Sequence, residues 1–195
     1  MKKNIFITLL FVFVFVSLIR YKDSPDKLIT INKTHYTVIY DEVKQQPIKI
    51  TYKVLCNKTL FKRSDLAFYK EPGISTSDDA DYRDNVYDKG HLAPAASFAC
   101  DQMALKETFS YLNCALQHRS LNRGAWKSLE MHERDLLMLG DVYVEVDIIF
   151  QKLQILPTEA HIPTHFKKTI KSKAATEVYL FPNEEIKLPY TAYKI

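Results

Sequence analysis

The side chains with the chemistry to handle a phosphate fall in two short stretches. In YDKGHLAPAAS (87–97), His91 follows Asp88, Lys89 and Gly90. Imidazole takes up a proton near neutrality, so His91 is a candidate general base. Glycine permits a positive φ or a close backbone approach. Gly90 is therefore expected to turn the chain sharply and present His91 at a strand end. Asp88 can orient the imidazole, and Lys89 can meet an anion. The second stretch, LNRGAWKSLEMHERDLLML (121–139), carries Asn122, Trp126, Glu130 and Arg134 at i+4 spacing on one drifting helical stripe. Asn122 stands at or near the expected helix N-terminus, where it either caps the helix or offers an amide oxygen to a hard cation such as Mg2+. The fork-shaped guanidinium of Arg134 suits a phosphate. Glu130 pairs with Arg134 at i,i+4, orients it, or holds water at a metal. His35 and His161 read as strand or loop residues, and His132 lies on the core side of the helix.

These residues need elements to hold them. His35 to Tyr40 and Ile48 to Cys56 alternate β-branched and aromatic residues across DEVKQQP, which predicts two paired strands. Residues 62–86 are turn-rich and acidic, a loop long enough to be functional. DQMALKETFSYLN (101–113) predicts a helix, and 121–139 a stronger one that Gly140 ends as a C-cap. VYVEVDIIF (142–150) is nearly continuously apolar, so it is expected at the centre of a sheet. Residues 163–170 and 176–181 read as further strands. The order predicts an α+β fold with helices packed against a mixed or antiparallel sheet.

The bulk properties limit the partners. The net charge of +4 comes from Lys2, Lys3, Arg20 and Lys22; without them, 23 basic and 23 acidic side chains remain. Any anion-binding surface must therefore be local. The apolar run Ile5–Ile19 spans about 22 Å as a helix, short of a hydrocarbon core of about 30 Å. Bounded by positive charge, it reads as a signal peptide or an uncleaved membrane anchor. Residues 1–22 are assigned to that segment, 23–34 to a polar linker and 35–195 to the globular domain. Export would place the domain in an extracellular, periplasmic or membrane-anchored setting. Cys56, Cys100 and Cys114 allow at most one disulfide, of a pairing the sequence does not specify, and burial as small hydrophobes is the other reading. The absence of Cys-x-x-Cys argues against a zinc ribbon.

The two stretches, in this order, resemble the DNA/RNA non-specific endonucleases, a family with a ββα-metal active site. DKGHLAPAAS is similar to the family's Asp-Arg-Gly-His signature. SYLNCALQHRSLNRGAWKSLE (110–130) is similar to its second block, and IPTHFKK (162–168) to a downstream strand of the endonuclease G branch. The resemblance spans roughly residues 50–190. It implies a Mg2+- or Mn2+-dependent nuclease acting on DNA, RNA or both, leaving 5′-phosphate ends with little sequence preference. It makes His91 the general base and Asn122 the one direct metal ligand. It makes Asn113 a support for the base or its water network, and Glu130 the residue holding water at the metal. Arg134 becomes a phosphate contact, with Lys89 beside it in substrate binding. Lys89 departs from the usual arginine, and VDIIF from the usual Thr-Gly-Pro after the second helix. A further active-site arginine lies upstream in some members, with Arg63 and Arg83 as candidates. A nucleic-acid-binding relative without catalysis, or a membrane-anchored interaction protein on the same fold, is the alternative.

Overall fold

The computed structural model describes residues 26–195; the signal or anchor reading of residues 1–22 lies outside them. A six-stranded sheet forms the centre, in the order β1 (Leu28–Asn32), β2 (Tyr36–Asp41), β3 (Gln46–Lys53), β6 (Tyr143–Ile149), β7 (His165–Lys171) and β8 (Thr176–Pro182). Every pairing in it is antiparallel. A separate two-stranded ribbon pairs β4 (Tyr87–His91) with β5 (Cys114–His118).

The sheet buries one face. Val38, Tyr40, Ile50, Tyr52, Val144, Val146, Phe166 and Ile170 alternate inward along their strands and form one core with Leu92, Phe98, Leu121, Trp126 and Leu129. The opposite face is polar, with Lys49 bonded to both Glu145 and Asp147. β6 is central as expected, but its pattern alternates rather than running apolar throughout: Glu145 and Asp147 take the outer face.

Four local expectations change. Part of the 23–34 linker is sheet: Leu28–Asn32 pairs along β2 as an edge strand, because LITIN puts Ile29 and Ile31 against the core. The first predicted helix is shorter. α1 (Gln102–Glu107) is capped by Asp101, and a 3-10 turn at Tyr111–Asn113 follows, capped by the Ser110 hydroxyl. The long helical run starts earlier, at residue 119. It comprises α2 (Arg119–Leu121), a π turn (Asn122–Trp126), α3 (Lys127–Leu136) and a 3-10 turn to Leu139. The His118 imidazole takes the N-cap, accepting from Ser120 N, so Asn122 is not the cap. Gly140 ends the run at φ 140° as predicted.

The fourth change concerns Gly90, which does not turn the chain. It is a strand residue facing Ala115 across the ribbon, and it is absent from the positive-φ positions. A Cβ there would meet Gln117 Oε1 at 2.5 Å and Gln117 Cβ at 2.6 Å. Glycine is required by close approach, the other of its two properties.

Candidate active site

The ribbon and the long helix form two walls of a cleft of about 920 Å³, and the loop after β3 forms the third. His91, Lys89, Asn122, Glu130 and Arg134 all line it. Asn113 does not. It is fully buried, its Nδ2 donates to the Ala93 and Thr108 carbonyls, and its Oδ1 accepts from Ala93 N. Its amide thus staples the chain just after His91, so Asn113 acts on that segment through the backbone and does not enter the cleft.

His91 ends β4 with its ring packed against Phe68 and Phe109 at centroid distances of 4.9 and 5.0 Å. Burial, with the nearby Arg63 charge, lowers its pKa to about 4. The imidazole is therefore neutral at physiological pH, and its Nε2 has no hydrogen-bond partner among the described residues. A neutral ring with a disengaged nitrogen is what proton uptake requires. The His91 carbonyl accepts from Trp126 Nε1 at 3.3 Å, which ties the end of β4 to the helix.

The helix supplies the opposite wall. Asn122 donates from Nδ2 to Asp88 at 2.9 Å. A carboxylate only accepts, so Asp88 fixes which way the amide faces and leaves Oδ1 uncommitted. Asp88 also accepts two bonds from Arg123, each 2.7 Å. Burial opposes its charge, but these bonds hold its pKa below the ordinary value. Burial raises Glu130 to about 7, against the pull of the Lys168 and Arg134 charges. Arg134 Nη1 is buried without a partner, so this guanidinium keeps a donor for a ligand.

Lys89 is less available than its sequence position implies. Its ammonium pairs with Asp79 and sits over the Phe68, Tyr111 and Tyr82 rings at 5.3, 5.6 and 5.9 Å. A phosphate would have to displace Asp79 to reach it. Three further cations line the cleft: Arg63, Arg123 and Lys127. Of the two upstream arginines, Arg63 lines the cleft and Arg83 does not. Arg123 and Lys127 were legible in principle, since they follow Asn122 by one and five residues and so share the helix's opening turns.

No group of three or more His, Cys, Asp or Glu among the described residues could hold a metal ion. What the cleft offers is one oriented amide oxygen, with the Glu130 carboxyl on the same wall. That donor set fits a hard cation that keeps most of its waters and takes phosphate oxygens, as Mg2+ does.

A family model described as DNA/RNA non-specific endonuclease matches residues 19–195. Among curated proteins, mitochondrial endonuclease G of Bos taurus is 31% identical over 145 residues, covering 64% of this chain and 48% of its own length. The Homo sapiens protein of the same name is 34% identical over 125 residues, covering 55% and 42%. Nuclease C1 of Cunninghamella echinulata var. echinulata is 31% identical over 144 residues, covering 64% and 57%. The chain spans about half the length of these relatives. A solved EndoG/EndoGI complex contains a chain with TM-score 0.76 and 26% identity, over 85% of this chain and 79% of that one.

Proposed function

Because the chain belongs to the DNA/RNA non-specific endonuclease family, we propose that it is a divalent-metal-dependent endonuclease that hydrolyses phosphodiester bonds of DNA, RNA or both. The observation that carries this reading is the neutral His91, with a free Nε2, in one cleft with Arg134 and the Asn122 oxygen. His91 removes a proton from water as its oxygen attacks phosphorus. The bond to the 3′ oxygen breaks, that oxygen takes a proton from solvent to become a 3′-hydroxyl, and the other product keeps a 5′-phosphate. Arg134 donates to the phosphate, while Arg63, Arg123 and Lys127 draw the polyanionic backbone into the cleft. A Mg2+ or Mn2+ ion, when bound, would be held by Asn122 Oδ1 and would stabilise charge developing on phosphate oxygens. Glu130, when ionised, orients water beside that oxygen. Contacts to phosphate rather than to base edges account for the lack of sequence preference.

We also propose that the domain works outside the cytoplasm, exported or tethered by its N-terminal segment. The Cys56–Cys100 disulfide supports this, since such bonds persist in oxidising compartments.

The test incubates the purified chain with plasmid DNA and with RNA, with Mg2+ or chelator, beside His91→Ala. Cutting is expected only with metal, and His91→Ala should lower it by about 10²- to 10⁴-fold. Cutting that survives His91→Ala undiminished would remove the assigned base. Retention of nucleic acid without cutting in any divalent metal would favour the binding-only reading.

A further inference from the structure

The IPTHFKK segment ends in a residue that the mechanism does not use. Lys168, on β7, has a fully buried side chain. Its Nζ donates to Glu133 Oε1 at 2.7 Å, and Glu133 is equally buried. The other Glu133 oxygen accepts from Tyr52 Oη, on β3, at 2.7 Å. Lys168 Nζ also lies 3.9 Å from the centroid of the Trp126 ring. Three elements, β3, β7 and the long helix, therefore meet at one buried carboxylate, that of Glu133.

A buried ion pair is a poor device for stability alone. Desolvating both charges costs about what their attraction returns, and apolar residues of similar volume often do as well or better. Its place in the fold indicates another use. Glu133 lies between Glu130 and Arg134 on α3, and both of these face the cleft. Trp126, under the same ammonium, donates to the His91 carbonyl. We propose that Lys168 is a positioning residue for the cleft: through Glu133 and Trp126 it fixes the rotation of the long helix that sets Glu130 and Arg134 opposite His91. The assignment rests on the nuclease reading and extends it to a residue that touches no substrate. The Lys168 charge reaches Glu130 as well, drawing its pKa down against the burial that raises it.

The test compares wild type with Lys168→Met and with Lys168→Met/Glu133→Gln on plasmid DNA in Mg2+. The single variant strands a buried carboxylate and should lose stability. The double variant keeps the volume, leaves no lone charge and retains an acceptor for Tyr52. Its Tm should recover while kcat stays about tenfold or more below wild type with KM little changed, because the substrate-facing cations are untouched. Recovery of kcat along with Tm would reduce Lys168 to a structural role and overturn the proposal. Glu133→Gln alone gives a second probe if the double variant does not fold. It keeps the volume and an acceptor for Tyr52 but removes the carboxylate that Lys168 holds; a lower kcat with KM little changed supports positioning, and wild-type kcat overturns it. Trp126 is the only tryptophan in the chain, so its emission reports the contact directly. Emission that Lys168→Met leaves unchanged would refute the clamp. Failure of the wild type to cut would overturn the nuclease reading and this role together, whereas an active wild type with an equally active double variant overturns this role alone.

Discussion

Burial moves His91 and Glu130, both facing the cleft, in opposite directions. His91 falls from 6.5 to about 4, and Glu130 rises from 4.5 to about 7. Their order is inverted relative to the free amino acids, so between these values both groups are neutral. His91 is competent as a base throughout that range, while Glu130 becomes a carboxylate only at its upper end. The acidic limb of the kcat/KM profile, which reports the free enzyme, should therefore belong to Glu130, with activity rising as pH passes through about 7. Glu130→Gln should lower kcat and flatten this limb; a limb that persists near pH 6.5 in that variant would assign it to His91. Stability behaves differently. The lowered His91 pKa stabilises the fold above the unfolded value of 6.5, and that contribution is lost as pH falls toward 4. The raised Glu130 pKa contributes below 4.5, and its contribution is lost as pH rises through about 7. The two trends oppose each other, so kcat/KM should climb across this window without a matching rise in Tm.

At the scale of elements, the site depends on the ribbon lying close to its own partner strand. Gly90 is the contact point: the Gln117 side chain fills the space a Cβ would need. Gly90→Ala must push β4 away from β5 and move the adjacent His91, at a cost of about 1–3 kcal/mol. Gln117→Gly in the same chain removes the obstructing Cβ. The double variant should recover part of both Tm and kcat, and equal damage in single and double variants would locate the cause elsewhere. This contact also shows where sequence reading stops. The GH pair marked the site because few residue types serve a base, yet close approach and a turn demand the same glycine. Only the partner strand distinguishes them. The long helix was legible from its stripe and from Gly140, but the π turn at Asn122–Trp126 was not, because an i+4 stripe reads alike in both helices. The edge strand Leu28–Asn32 was hidden by its setting, a short LITIN among polar residues whose pairing is set by β2.

Over the whole molecule, a formally neutral body places five cations, Arg63, Lys89, Arg123, Lys127 and Arg134, around one cleft, so any attraction for a polyanion is local, as the charge count required. The least secured wall of that cleft is the segment after β3. It carries Arg63, a residue no periodic pattern could single out, and residues 57–65 are all exposed. The segment hangs on the Ala99 carbonyl, which accepts from Leu60 N and Phe61 N at 2.8 and 2.9 Å, and on the adjacent Cys56–Cys100 bond. That bond joins residues 44 apart in sequence, so opening it should cost about 2–5 kcal/mol by freeing the unfolded chain. The effect on function should be specific. Phe68 packs on His91, and the Arg63 charge helps to hold its pKa low. A loosened segment admits water to the imidazole, weakens that cover and withdraws a phosphate contact. Reduction, or Cys56→Ser/Cys100→Ser, should therefore lower Tm, raise KM for plasmid DNA and move the His91 pKa up toward 6.5. Thermal melts, Michaelis kinetics and an NMR titration of His91, each with and without reductant, would measure the three effects. A lower Tm with unaltered KM and His91 pKa would mean that the disulfide stabilises the fold without shaping the cleft.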